Sequence, residues 1–260
     1  MMALEPHGTD VWVGAGPGYP WGGLYGGQIV AQSLRAGTYT VDPDFRVHSL
    51  HAYFIRSGDA SEPIRFEVDR VRNGRSFCTR RVTARQSVGV ILEMSASYQV
   101  DEDAPGVQTA VAPEVPPVHA LTDETWSTLF DRRKLPDRRG QVDAWMRLAA
   151  PLTGGDRALH ACGLAYLSDD LPTEAVVSLH PRWDGAPDPT DALEHQFMSA
   201  SLDHAMYFHR PVAADRWHLQ SFTCHGLMSS RGVSVGYVFT EDGTHVATVV
   251  QEVLLRTRRR

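Results

Sequence analysis

The order of elements in this chain of 260 residues occurs twice. The run YGGQIVAQSLRAGTYTV has Val30 and Leu34 at helical spacing, with Ile29 widening the stripe, and predicts a buried helix opening at Gly26 and Gly27. After Asp42-Pro43 come four short runs, VHSLHAYFIR, PIRFEVDRVRNG, RSFCTRRVTARQ and VGVILEMSASYQV. They are rich in Val, Ile, Phe and Tyr and divided by turn signals such as Asn73-Gly74, as antiparallel strands are. Beyond residue 120 the order starts again: a strand in QVDAWMRLAAPL, a helix in GGDRALHACGLAYLSDD, a loop with several prolines and aspartates, then strands from Phe197 onward. Sliding one half over the other by 154 positions sets Tyr53, Phe54 and Arg56 on Tyr207, Phe208 and Arg210, Ser76 on Ser230 and Gly89 on Gly243. The pattern predicts an α+β chain, each half a long central helix wrapped by a curved antiparallel sheet. Joining the two sheets edge to edge would cover two exposed edges.

Four prolines and few large apolar residues mark 101–120 as a connector. The expected division is a first unit over 1–100, a proline-rich linker over 101–123 and a second unit over 124–260. The chain is 42% hydrophobic, enough for a sizeable core, and its net charge of −6 argues against a general nucleic-acid binder. MMALEPHGTD has neither a basic nor an apolar leader region, and no run approaches the roughly 20 apolar residues of a membrane span, so a cytoplasmic protein without membrane partners is expected. Cys78, Cys162 and Cys224 are odd in number and lack metal-ligand spacing; we read them as reduced thiols and expect neither metal nor cofactor.

The chemistry points to SLDHAMYFHRP, read as one strand closed by Pro211. Asp203, Ala205 and Tyr207 then share one face, and His204, Met206 and Phe208 the other. A carboxylate in so apolar a strand is a candidate general base, unless it caps a turn or pairs with an arginine. At the shift of 154, Ser49 stands opposite Asp203 and Ser97 opposite Gln251, which points to one site per chain, built with second-half residues. Gln251, in otherwise apolar ATVVQEVLLR, needs a hydrogen-bond partner, either in a site or at an edge backbone group. The N–H groups opening the first helix at Gly26 and Gly27 suit an oxyanion.

GGQ at 26–28, HAYFIRSG, NGRSF and LDHAMYFHR together resemble the acyl-CoA thioesterase II (TesB-type) family over nearly the whole chain. The resemblance implies a double hotdog fold, so that the two units would be an N-terminal and a C-terminal hotdog. It also implies hydrolysis of fatty acyl-CoA to fatty acid and CoA by water that an Asp, a Ser or Thr and a Gln activate. Carried over, the acid falls on Asp203 and the amide on Gln251. Counting back from Ser230-Arg231-Gly232, the hydroxyl place falls on His225, a departure from the family's pattern. Three outcomes stay open: His225 serves as water ligand or base, Thr223 or Ser229 substitutes, or hydrolysis is weakened. The last makes a non-hydrolysing acyl-thioester binding protein the alternative. Arg72 and Arg75 are expected to bind the phosphates of the acyl-CoA partner, with Arg56, Arg80, Arg81 and Arg210 as further candidates. A homo-oligomer is also implied.

Overall fold

The computed structural model describes residues 2–136, 138–152, 156–183 and 196–258. The first half contributes β1 (Glu5–Pro6), β2 (Val11–Gly14), helix α1 (Gly26–Thr38), β3 (Phe45–Phe54), β4 (Ile64–Asn73), β5 (Phe77–Gln86) and β6 (Gly89–Val100). The second contributes β7 (Phe130–Lys134), β8 (Gln141–Leu148), α2 (Arg157–Leu167), α3 (Pro172–Leu179), β9 (Phe197–Ser201), β10 (Asp203–Phe208), β11 (His218–Met228), β12 (Arg231–Thr240) and β13 (His245–Thr257). Period-two burial, clearest along β5 where Cys78, Arg80, Val82 and Ala84 turn inward, makes these runs strands with one face on the helices.

All the strands join one antiparallel sheet in the order β1-β2-β4-β5-β6-β3-β10-β13-β12-β11-β8-β7, with β9 also paired to β13. From the central β3·β10 pair outward, the two sides have the same connectivity. At that pair His51 faces Ala205, Tyr53 faces Asp203 and Ser49 faces Tyr207. A shift of 154 carries His51 onto Ala205 and exchanges the other two pairs, so a pseudo-twofold axis passes between His51 and Ala205. The edge-to-edge joining expected from the repeat is therefore present.

Helix α1 is buried on almost every side because it packs against both its own sheet and α2. Its buried amides are satisfied through the glycine-rich entry segment: Tyr19 Oη donates to Gln28 Oε1 at 2.6 Å, and Gln32 Nε2 donates to the Ala15 carbonyl at 2.9 Å. Residues 101–117 form no regular element, as expected. They are not loose, however: Val115, Val118 and Leu121 pack on Leu135, Trp145, Leu219 and Phe239, and Trp145 Nε1 donates to the Pro116 carbonyl.

Three elements were not anticipated, the two-residue β1 among them. Helix α3 falls where a loop was expected, although Pro172 opens it and Glu174 sits in its first turn, both ordinary helix-start signals. Strand β7 carries Arg132, whose guanidinium pairs with Asp170 and Glu174 at 2.9 and 3.0 Å beneath the helices. The run at 201–211 is also not one strand. β9 and β10 both pair with β13, and their registers differ by one across Leu202, where an extra residue enters. A matching irregularity interrupts β3 at His48, the position that the shift of 154 relates to Leu202.

Candidate active site

The extra residue at Leu202 decides which side chains meet. Ser201 is opposite Val253, which is wholly buried, so Ser201 faces the helices. One register step beyond the paired Ala205 and Val250, His204 lies opposite Gln251 on that same inner face, and both are wholly buried. Asp203, only two residues after Ser201, stands on the outer face beside the largely exposed Tyr53. A bulge turns i and i+2 to opposite sides, where a regular strand would keep them together.

Ser168 is the C-cap of α2, and the next residue, Asp169, turns toward the start of α1. Its Oδ1 lies 3.4 Å from Ser201 Oγ, and the Gln251 amide and the Gly27 backbone N–H are close enough to hold its pKa down. The approach to α1 is so close that a Cβ on Gly26 would lie 2.6 Å from Asp169 Oδ2 and 3.0 Å from the Phe54 ring. Glycine is required there by space. Gln251 Nε2 donates to Ser201 Oγ at 2.7 Å. Gln251, Ser201 and Asp169 thus form one hydrogen-bonded chain beside the N-terminus of α1.

Burial pushes the Asp169 carboxyl up to about 7, and the nearby Asp170 adds to the rise; the hydrogen bonds from Gln251, Gly27 and Ser201 oppose it. Its neighbour Asp170 turns the other way, to Arg132 and the Trp126 indole N–H. Tyr25 precedes α1 without capping it by a side chain; its hydroxyl donates instead to the Tyr166 carbonyl at 2.9 Å. No side chain of the entry segment caps α1; the carboxyl beside its start is Asp169, brought there from the end of α2.

Of the predicted site residues, the structure brings together Gln251, Gly26 and Gly27. Asp203 is not with them. Its Oδ1 accepts the Glu252 N–H at 2.7 Å, closing the ladder where the extra residue opens it, and burial raises its pKa. His225 is exposed in a second bulge, between Cys224 and Leu227, on a strand separated from β13 by β12. That places it about 10 Å from Gln251 across the sheet, at roughly 4.8 Å per strand. Cys224 is buried, and burial raises its thiol pKa, the opposite of an activated nucleophile.

Arg72 and Arg75 are exposed at the β4–β5 turn, by the other end of α1, where Arg80 donates to the Arg72 carbonyl and to Thr40. For a helix of 13 residues that is roughly 20 Å from Gly26. Arg80 itself is buried, and bonds to Asn73 and the Thr79 carbonyl use its remaining donors. Asp169 and Ser201 escaped the sequence reading. The available signal was an acid pair, Asp169-Asp170, directly after an apolar helix that ends without glycine.

Comparison with known proteins agrees over the full length. Residues 16–99 match the family model of the acyl-CoA thioesterase N-terminal domain, and residues 99–255 that of the C-terminal domain. Human acyl-coenzyme A thioesterase 8 is 31% identical over 99% of this chain and 88% of its own length. Acyl-CoA thioesterase 2 of Haemophilus influenzae is 31% identical over 90% of the chain and 87% of its own. The crystal structure of acyl-CoA thioesterase II TesB2 from Mycobacterium marinum superposes with a TM-score of 0.80 at 35% identity, covering 99% of this chain and 96% of that one. A hot dog fold protein from Alicyclobacillus acidocaldarius, 21% identical, gives a TM-score of 0.79 over 99% and 97% of the two chains, so the fold here is a hotdog.

Proposed function

Because the chain belongs to the TesB-type acyl-CoA thioesterase family and is a thioester hydrolase acting on acyl-CoA, we propose that Asp169, Ser201 and Gln251 are the acid, hydroxyl and amide that activate its water. The observation that carries this reading is the hydrogen-bonded group they form at the opening of α1. We further propose a double hotdog, with units over 1–100 and 124–260 joined by the linker at 101–123; the pseudo-twofold pairing of β3 and β10 supports it.

In this mechanism water sits between Asp169 and Ser201, and the thioester carbonyl lies at the start of α1. Asp169, ionised, takes a proton from the water as its oxygen bonds to the carbonyl carbon. The negative charge that develops on the carbonyl oxygen faces the positive end of α1 and the Gly26-Gly27 backbone. Collapse of the tetrahedral intermediate breaks the carbon–sulfur bond, and the proton on Asp169 passes to the departing CoA thiolate. The fatty acid leaves as the second product. With Ser201 filling the hydroxyl place, the departure at His225 that motivated a non-hydrolysing binding protein no longer bears on activity.

The test is thiol release from a panel of short- to long-chain acyl-CoAs by the wild type, Asp169→Asn and Asp203→Asn. Release lost in Asp169→Asn and kept in Asp203→Asn is expected. The reverse pattern overturns the assignment of the acid.

A further inference from the structure

Gln251 can serve Asp169 and Ser201 only if its amide has one orientation, with NH2 toward them and the carbonyl oxygen away. The side chain has no preference of its own, since the two ends of an amide are nearly the same size. What lies behind it is His204, wholly buried, with Nδ1 2.5 Å from Gln251 Oε1 and Nε2 3.0 Å from Ser168 Oγ. Resting on the assignment of Asp169, Ser201 and Gln251 above, we propose that His204 is a positioning residue. As the Nδ1–H tautomer, with Ser168 turning its one hydroxyl hydrogen to Nε2 rather than to the Ala165 carbonyl 3.1 Å away, it fixes the Gln251 amide and so gives direction to the whole chain of hydrogen bonds.

The direction follows from counting donors. With the proton on Nδ1, His204 donates to Gln251 Oε1 and Nε2 accepts from the Ser168 hydroxyl, which then gives up its bond to the Ala165 carbonyl. The Gln251 NH2 then donates to Ser201 and Asp169, and the Ser201 hydroxyl hydrogen is left to point at Asp169. With the proton on Nε2, His204 Nδ1 must accept, and the Gln251 amide has to turn over to supply a hydrogen. Its oxygen would then take the Ser201 hydroxyl hydrogen, and Asp169 would lose two donors at once. One proton position on a ring one residue removed from the acid thus separates a supported carboxylate from an unsupported one. Burial lowers the His204 pKa to about 4, so the ring is neutral near pH 7 and a single tautomer is meaningful. Ser168 is the C-cap of α2 and Asp169 the next residue, so one turn of chain holds both ends of the relay.

Two readouts test this. The first is nitrogen NMR of the histidine-labelled enzyme near pH 7, with the His204 signal identified among the 12 histidines by its loss in His204→Asn. The expected result is a neutral ring protonated on Nδ1; protonation on Nε2 overturns the proposal. The second is kinetic. His204→Leu should lower kcat by about 100-fold with KM unchanged, as a small misplacement of a reacting group does. His204→Asn, whose amide N–H takes the place of Nδ1–H, should recover most of that loss. On a Gln251→Ala background, His204→Leu should cost nothing more. Full kcat in His204→Leu, no rescue by Asn, or losses that multiply in the double variant would each sink it. Should the Leu variant fail to fold, the Asn variant and the tautomer still decide. Turnover retained in Asp169→Asn would instead defeat the assignment of the acid, a different result from failure at His204 alone.

Discussion

The pseudo-twofold axis gives each residue around Asp169 a counterpart at the other helix opening, and almost every counterpart is inert. The shift of 154 relates Ser201 to Val47 and His204 to Leu50. The ladder pairs Leu50 with Ala96, which makes Ala96 the partner of Gln251 in place of the Ser97 expected from an ungapped shift; Ser97 Oγ instead lies 2.8 Å from His48 Nε2. Asp169 follows the C-cap of α2, and Thr40 follows the C-cap of α1, where Arg80 holds it. The helix openings differ as well. The start of α2 is closed by Asp156, which accepts the Leu159 N–H at 3.1 Å and pairs with Arg35 at 2.9 Å. That carboxylate caps its helix and is paired with an arginine, whereas Asp169 lies beside the start of α1 as a buried acid whose pKa is raised. Space does not single out the α1 opening: a cavity of about 830 Å³, bounded in part by Arg35, Tyr39, Phe45, His48, Arg157 and Phe208, lies at the α2 end. The difference lies in donors and acids.

The sharpest way to break this contrast is Asp169→Asn, for which thiol release should fall by about 10²- to 10⁴-fold. Gln251→Ala should follow, with kcat down by about 10²- to 10³-fold, the usual cost of losing a positioned donor. The pH dependence sharpens the same contrast. Wild-type kcat/KM should rise with pH and level off above about 7, as Asp169 ionises, and that limb should vanish in Asp169→Asn. Stability should move the other way. The folded state holds this proton up to about 7 and the unfolded chain only to 3.8, so stability falls as pH rises through that window. Asp169→Asn should therefore melt higher than the wild type at pH 8, in scans at several pH values. Asp203→Ala should leave turnover intact and cost about 1–3 kcal/mol in denaturant titration, because the Glu252 N–H loses its acceptor. Smallest is Asp156→Ala, with turnover unchanged and about 1 kcal/mol of stability lost with the cap of α2.

Much of the architecture was legible because it repeats and is periodic: α1 begins at Gly26 as its apolar spacing requires, and β3 to β6 fall on the four runs. The site was half legible. Gln251 stood out as an amide in an apolar strand, and the paired glycines as an open helix start. Ser201 and Asp203 were confounded by the single inserted residue between them, which leaves no trace in composition because Leu202 is as apolar as its surroundings. Asp169 was concealed differently. It follows a helix whose end is set by where the chain must turn to reach α1, a tertiary demand invisible in the run LAYLSDD. Helix α3 was passed over for its proline, although proline belongs at a helix start.

The β3·β10 seam has a consequence for how such a chain can change. Were the two halves separate copies of one protein, any substitution that closed one helix opening would close its twin, and an acid gained on one side would be gained on both. Joined in tandem, the halves are altered one position at a time. The half that supplies the acid can lose its own open helix, while the half that supplies the helix can lose its acid. Neither is then competent by itself. Expressed as separate fragments, the two should show thioesterase activity only when mixed, and only to the extent that the seam between His51 and Ala205 reforms.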